Sequence, residues 1–327
     1  MQFDTWVVRL RESIRLDRYL TGQLPHVSRN RIQRHIEHGD VLVDGRRVRP
    51  SHRLHGGETL RLPPVAARQL GTVAEAVEFR VVYEDTDLVV VDKPAGLVVH
   101  PVGAEARRTL LGGLHRRLEA RDESAAELGI VHRLDRLTSG LVVVAKSLVA
   151  RRRLARQVER RGLHRVYLGF VQGRPPAASG CIELFIRRDP RRPTRMQALG
   201  AEAAAAGNRI SQPHVSASGY SNPRRDVRSR PARTHYRILR RFAGATLLQL
   251  ELDTGRTHQI RVHLQAIGTP LLGDPIYGPP ETDRTRPALH AARLEFEHPT
   301  SGAALRFAAP MPADLHALAR LLSQSTG

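Results

Sequence analysis

His132-Arg133-Leu134-Asp135-Arg136-Leu137-Thr138-Ser139-Gly140-Leu141 sets one acidic residue among three basic neighbours, between two apolar runs. The flanking runs, Ile130-Val131 and Leu141 to Ala145, have the length and β-branched character of short buried strands. The polar stretch between them is therefore a loop on a rigid support, the kind of place where chemistry is carried. His132, Arg133 and Arg136 favour an ionised Asp135, available as a nucleophile or a strong acceptor. Spacing alone leaves a second reading open, a surface turn in which Asp135 does no more than pair with an arginine.

Working outward, the whole chain is strongly basic. Its 327 residues carry 52 Lys+Arg against 32 Asp+Glu, a formal net charge of +20. The arginines run the full length, which argues against a basic tail and for a polyanionic partner, nucleic acid above all. Only Lys93 and Lys146 are lysines. Cys181 stands alone, so no intrachain disulfide forms, as suits a reducing cytosol. Residues 1–13 lack the apolar core of a signal peptide, and no apolar run is long enough to span a bilayer. A cytoplasmic protein without a membrane partner is expected, and as no dimer motif is seen, a monomer.

Residues 12–62 read as a compact unit. Leu16, Leu20 and Leu24 mark a short helix ending by Pro25; Ser28 can cap a second, with Val27 and Ile32 as its hydrophobic staple. The second helix carries Arg29, Arg31, Arg34 and His35 and stops at Gly39. Val41 to Val43, Asp44-Gly45 and Arg46 to Arg49 form a hairpin with a type I′ turn, and Thr59 to Leu62 a last strand. Either a small structural domain or an RNA-binding one is compatible with this order. Residues 63–76 read as a linker, and 77–327 as one larger α+β domain with a central sheet and flanking helices. Within it, helices are expected on Leu111, Leu114 and Leu118, on Ala150, Leu154 and Val158 after Ser147, and on Ile260, Leu264 and Ile267. Strands are expected at Leu88 to Val91, at Val166, Leu168 and Phe170, and at Leu248, Leu250 and Leu252. Residues 187–233, rich in Arg, Ala, Pro, Ser and Gly without apolar periodicity, read as a poorly ordered insertion.

The Asp135 loop resembles the catalytic signature of the RluA/RluD family of RNA pseudouridine synthases. Three further segments resemble that family in the same order: Lys93 to Pro101, Arg165 to Gly173, and Thr254 to His263, which contains Gly255-Arg256-Thr257-His258-Gln259-Ile260-Arg261. Gly273-Asp274-Pro275-Ile276-Tyr277-Gly278 and Leu289-His290-Ala291 complete the series, and residues 12–62 resemble the S4 RNA-binding domain. Arg165 stands where the family usually has Lys.

The resemblance implies a mixed, largely antiparallel sheet and the isomerisation of uridine to its C-glycoside in RNA, with large-subunit ribosomal RNA the expected substrate and transfer RNA the alternative. No atom is lost and no electron transferred, so neither cofactor nor metal is expected. It makes Asp135 the catalytic carboxylate, Arg261 its cation with Arg256 as the fallback, and Tyr167 the aromatic floor under the base. His132, Arg133, Arg256 and Thr138 are its substrate contacts, and Arg29, Arg31, Arg34 and His35 the RNA contacts of the S4-like unit. Arg133 either fills the gap left by a flipped base or holds a phosphate; Tyr167, read without the resemblance, is more often a core residue than not. Two other activities remain to be weighed: a binding protein that uses the fold without catalysis, and a hydrolase that releases free uracil.

Overall fold

The structure, a computed structural model, describes residues 4–8, 10, 13–23, 29–62, 76–100, 108–121, 128–192, 194–200, 229–279 and 286–324. Contacts divide the chain into a smaller unit up to Ala76 and a larger one from Val77 onward, residues 101–108 and 112–128 grouping with the smaller.

In the smaller unit β1 (Asp4–Val7) and β2 (Ile14–Arg15) precede the helices α1 (Leu16–Gln23) and α2 (Arg29–Glu37). The strands β3 (Leu42–Val43), β4 (Arg46–Arg47), β5 (Arg53–Leu54) and β6 (Thr59–Leu62) follow. A four-stranded sheet has the order β1-β6-β3-β4, and β2 pairs with β5. The β3–β4 turn has positive φ at both Asp44 (47°) and Gly45 (75°), the signature of the expected type I′ turn. Leu16, Leu20, Ile32, Ile36, Val43, Leu54 and Leu60 close one core, so the four-residue leucine step in α1 is its buried face. Leu24 and the cap formed by Val27 and Ser28 lie outside the described residues, as does the 63–76 linker up to position 75.

The larger unit opens with β7 (Arg80–Glu84), β8 (Leu88–Lys93) and the first turn of α3 (Leu110–Glu119). Then come β9 (Gly129–Ile130), β10 (Ser139–Ala145), α4 (Leu148–Glu159) and β11 (His164–Gln172). Next are β12 (Ser179–Arg188), β13 (Met196–Leu199), β14 (Arg230–Phe242) and β15 (Ala245–Leu252). The chain closes with α5 (Gln259–Ala266), β16 (Leu289–Glu297), β17 (Ala304–Ala308) and α6 (Ala313–Gln324). Eleven strands form one sheet in the order β13-β12-β14-β15-β11-β16-β10-β8-β7, with β17 beside β16 and β9 beside β10. Every pairing is antiparallel except β10 with β16, where Ser139 faces His290 and Gly140 faces Ala291. All seven residues of β10 are buried. The α+β architecture expected from the sequence is the observed one.

Three apolar clusters hold this sheet. Ala150 and Leu154 of α4 pack on Leu141, Val143 and Leu88, with Ser147 capping the helix by accepting the Ala150 N–H at 3.1 Å. Leu315 and Leu318 of α6 cover Phe170 and Phe242. Val262 of α5 and Tyr277 join Ile186 and Ala232. Gly140 marks a close approach of two backbones: its φ is +112°, and a Cβ there would sit 2.3 Å from the Ala291 carbonyl oxygen. The parallel junction needs glycine at this position.

Two expectations are corrected. The 187–233 stretch is strand at both ends: Arg187 and Arg188 close β12, Met196–Leu199 is β13, and Arg230 to Arg233 open β14. As an edge strand, β13 pairs only with β12 and keeps its four side chains half-buried, so it has no apolar alternation to read. Positions 193 and 201–228 lie outside the described residues. Helix α5, expected to bury one stripe, buries Gln259, Ile260, Arg261, Val262, His263 and Leu264 in succession. Its Gln259 and Arg261 side chains meet partners inside the protein instead of water.

Candidate active site

The loop between β9 and β10 delivers Asp135 to a cavity of about 450 Å³, lined among others by His132, Arg133, Thr138, Tyr167, Arg256 and Arg261. That volume falls within the range of small-molecule sites, about 300–1,000 Å³. The loop is braced from beneath. The Thr138 N–H donates to the Asp135 carbonyl at 3.1 Å, and Gly96, at φ +91°, donates its N–H to the Arg136 carbonyl at 2.8 Å. Lys93, fully buried, donates from Nζ to the carbonyls of Pro94 (2.9 Å), Leu97 (2.9 Å) and Arg136 (3.2 Å). The lysine-proline turn and the Asp135 loop are thus one tied assembly. Burial lowers the Lys93 ammonium to about 7, against the opposing pull of Asp135.

Asp135 is partly exposed, and its Oδ2 lies 3.4 Å from Nη1 of Arg261. Its Oδ1 has no hydrogen-bond partner among the described residues, and the residue lines the cavity. Arg261, reading out from α5, is buried and makes a two-pronged pair with Asp274 at 2.7 Å for both Nε and Nη2. It is Asp274, not Asp135, that holds this guanidinium most closely; the third nitrogen is left for Asp135. Asp274 also accepts the N–H groups of Ile276 (2.9 Å) and Tyr277 (3.1 Å). The fallback cation, Arg256, donates Nε to the Pro231 carbonyl at 3.2 Å and makes no ion pair among the described residues.

Tyr167 lies on β11, where the register with β16 shifts between Val166 and Tyr167. It is buried, its hydroxyl makes no hydrogen bond among the described residues, and burial pushes its phenol pKa up, with Arg165 opposing and Asp135 adding to the rise. His132 accepts the Val143 N–H on Nε2 at 3.3 Å, so its proton sits on Nδ1, which is buried without a partner among the described residues. Burial, reinforced by Arg165, lowers His132 to about 3, so it is a neutral donor at any working pH. Arg133 is exposed at the rim.

His258, not among the expected site residues, also lines the cavity. His258 has a left-handed backbone (φ 55°), and its Nδ1 meets the Tyr277 hydroxyl at 2.9 Å. That hydroxyl also accepts the Met196 N–H at 2.7 Å. The Tyr277 ring carries Arg261 on it at 5.0 Å and Arg195 at 5.1 Å. The 273–278 run and Lys93 were visible as motif segments; nothing in their spacing disclosed that Asp274 would reach Arg261.

In the smaller unit Arg29, Arg31 and Arg34 belong to α2, but their side chains lie outside the described residues. His35 Nδ1 is 2.8 Å from Asp40 Oδ2, a local tie across the end of the helix. Among the described residues no cluster of His, Cys, Asp and Glu has the make-up of a metal site, and no helix is long and apolar enough to cross a membrane.

A mixed sheet that opens a carboxylate-bearing cavity beside its one parallel junction, in a chain with this positive charge, has the framework of an RNA-modifying enzyme. Residues 87–266 match the RNA pseudouridylate synthase family and residues 14–60 the S4 domain. The chain is 42% identical to an uncharacterized RNA pseudouridine synthase of Chloroflexus aurantiacus, over 94% of this chain and 90% of that protein. It is 39% identical to ribosomal large subunit pseudouridine synthase D of Nitrosomonas europaea, over 93% and 83%. The fold is similar to that of human RNA pseudouridylate synthase domain containing 4, with a TM-score of 0.57 at 23% identity, covering 74% of this chain and 92% of that one. The chain belongs to the RNA pseudouridylate synthase family: it is an isomerase whose substrate is RNA.

Proposed function

We propose that this chain isomerises uridine in large-subunit ribosomal RNA, with Asp135 acting on a uridine flipped into the cavity. The observation that carries the reading is the free Oδ1 of Asp135, held at the cavity by Arg261, which is itself clamped by Asp274. Such a clamp fixes the cation before the substrate arrives, so the carboxylate is oriented at no further cost during reaction. The names of relatives such as the Nitrosomonas europaea protein support the choice of RNA.

Extruding the base costs a few kcal/mol. Arg133, exposed beside the loop, is placed to fill the space or to hold the displaced strand. Tyr167 then lies against the ring, where an aromatic face permits rotation that a set of hydrogen bonds would resist. Asp135 either adds to C1′ or removes the 2′ proton; both break the N1–C1′ bond and allow C5 to take the place of N1 on C1′. Arg29, Arg31, Arg34 and His35 of α2 serve as further RNA contacts, and the protein acts as a single chain in the cytoplasm.

The test is pseudouridine mapping on unmodified large-subunit ribosomal RNA, with an Asp135→Asn control. New sites that vanish in the control support the whole reading. Activity on transfer RNA alone would move the substrate. Free uracil among the products would make the chain a hydrolase, and cellular effects unchanged by Asp135→Asn would make it a binding protein.

A further inference from the structure

Arg165 is a guanidinium that no carboxylate among the described residues neutralises. It is 6% exposed and lines the cavity, yet no carboxylate lies within ion-pair distance among the described residues. Its Nη2 reaches the Leu252 carbonyl only at 3.4 Å, and its Nε is buried without any partner among those residues. Asp253, next along the chain from Leu252, is taken by Arg161, Arg233 and His235. Burying a charge without a counter-charge is costly, and proteins that do so have a use for it. Space is kept for the group as well: a Cβ on Gly255 would lie 2.9 Å from Nη1.

The other cavity arginines are disposed differently. Arg261 is paired, Arg133 is at the exposed rim, and Arg256 is spent on a backbone carbonyl. Arg165 stands two residues before Tyr167 on β11, and its charge is felt by both Tyr167 and His132. It therefore borders the floor where the base would lie and not the mouth where phosphates would pass.

We propose that Arg165 forms an anion subsite in the cavity whose occupant is the uracil ring in its detached, negatively charged state. The inference rests on the reading that Asp135 isomerises uridine here. As the N1–C1′ bond breaks, its electron pair stays with uracil, and the negative charge spreads over N1 and the two ring carbonyl oxygens. C1′ is meanwhile held by Asp135 or left as the unsaturated sugar. The ring turns and C5 bonds to C1′ as the Asp135–C1′ bond breaks or, on the unsaturated sugar, as Asp135 returns its proton to C2′; the C5 proton then leaves and N1 is protonated. The ring is neutral before and after, and negative only between. A cation left unpaired in the resting site binds that intermediate better than substrate or product, which lowers the barrier instead of tightening binding uniformly. A phosphate seat would do the reverse, because the phosphate charge is the same throughout.

The experiment compares Arg165→Met and Arg165→Lys with the unaltered full-length protein on unmodified RNA. With Met, kcat should fall about 100-fold to 1,000-fold, the effect of removing one preorganised group facing developing charge. KM should change little, and the unfolding midpoint should hold or rise, since a buried unpaired charge is gone. Lys should restore most of the rate. RNA carrying 5-fluorouridine, whose ring departs more readily as an anion, should lose less from Arg165→Met when cleavage of the original N-glycosidic bond is followed in a single turnover. A raised KM with kcat intact would replace this proposal with a phosphate seat. Equal loss of rate and stability in Met and Lys would reduce Arg165 to packing. Asp135→Asn, run beside them, separates the two readings: if it stays active the site itself is misread, whereas a dead Asp135→Asn with a fully active Arg165→Met overturns only the role of Arg165.

Discussion

Replacing Lys93 by Met tests the brace beneath the Asp135 loop through the pH dependence of stability. In the folded protein burial brings the ammonium down from its usual 10.5 to about 7. Below about pH 7 both folded and unfolded chains hold the proton, and the full cost of burying it is present. Between about 7 and 10.5 the unfolded chain holds a proton that the folded one lacks, so stability rises with pH across that window; above it the two states agree again. Raising the pH from 7 to 9 spans two units worth about 1.4 kcal/mol each, less the part already titrated at pH 7, which leaves about 2 kcal/mol. The thioether that replaces the ammonium has no proton to lose. Urea unfolding of both proteins at pH 7 and pH 9 should therefore show the unaltered chain gaining about 2 kcal/mol more than Lys93→Met. Other titrating groups cancel in that difference. Parallel pH dependences would refute the reasoning, because Lys93 would then keep its ordinary affinity for a proton. The substitution also frees the carbonyls of Pro94, Leu97 and Arg136, so the loop that carries Asp135 should exchange its amide hydrogens faster.

Asp274→Asn removes the charge that holds Arg261 at two points, and breaking a buried pair of this kind costs about 3–5 kcal/mol. Its kcat should fall with the stability measured by thermal unfolding, whereas retained activity would mean that Asp135 alone positions Arg261. Gly140→Ala should lower stability by about 3 kcal/mol or more, since a Cβ meets the Ala291 carbonyl at 2.3 Å and φ is +112°. An unfolding midpoint equal to that of the unaltered protein would show that β10 and β16 can move apart there.

The parts of this protein that could be read from its sequence are those whose cause is local. Leu16 and Leu20 at a four-residue step, Ser147 before an apolar face, and Asp44-Gly45 between two short runs each act on neighbours in the chain, and each is found in the expected role. Asp135 is legible for the same reason, in a polar loop between two short strands. The support of Asp135 is not local. Arg261 and Asp274 are thirteen residues apart and meet because a helix and the loop after it fold back on each other; Lys93 reaches the Arg136 carbonyl across 43 positions. Such pairings leave no period in the sequence, so the cation of Asp135 could be named while the residue that holds that cation could not. The ends of the 187–233 stretch escaped for a related reason: β13 is ordered by backbone pairing to β12 and by half-buried side chains, which composition does not record. Arg165 is the converse case. A buried arginine is normally betrayed by its acid, and here there is none to find among the described residues; only the structure shows that the charge stands uncompensated, facing the cavity in which a negative charge would come and go.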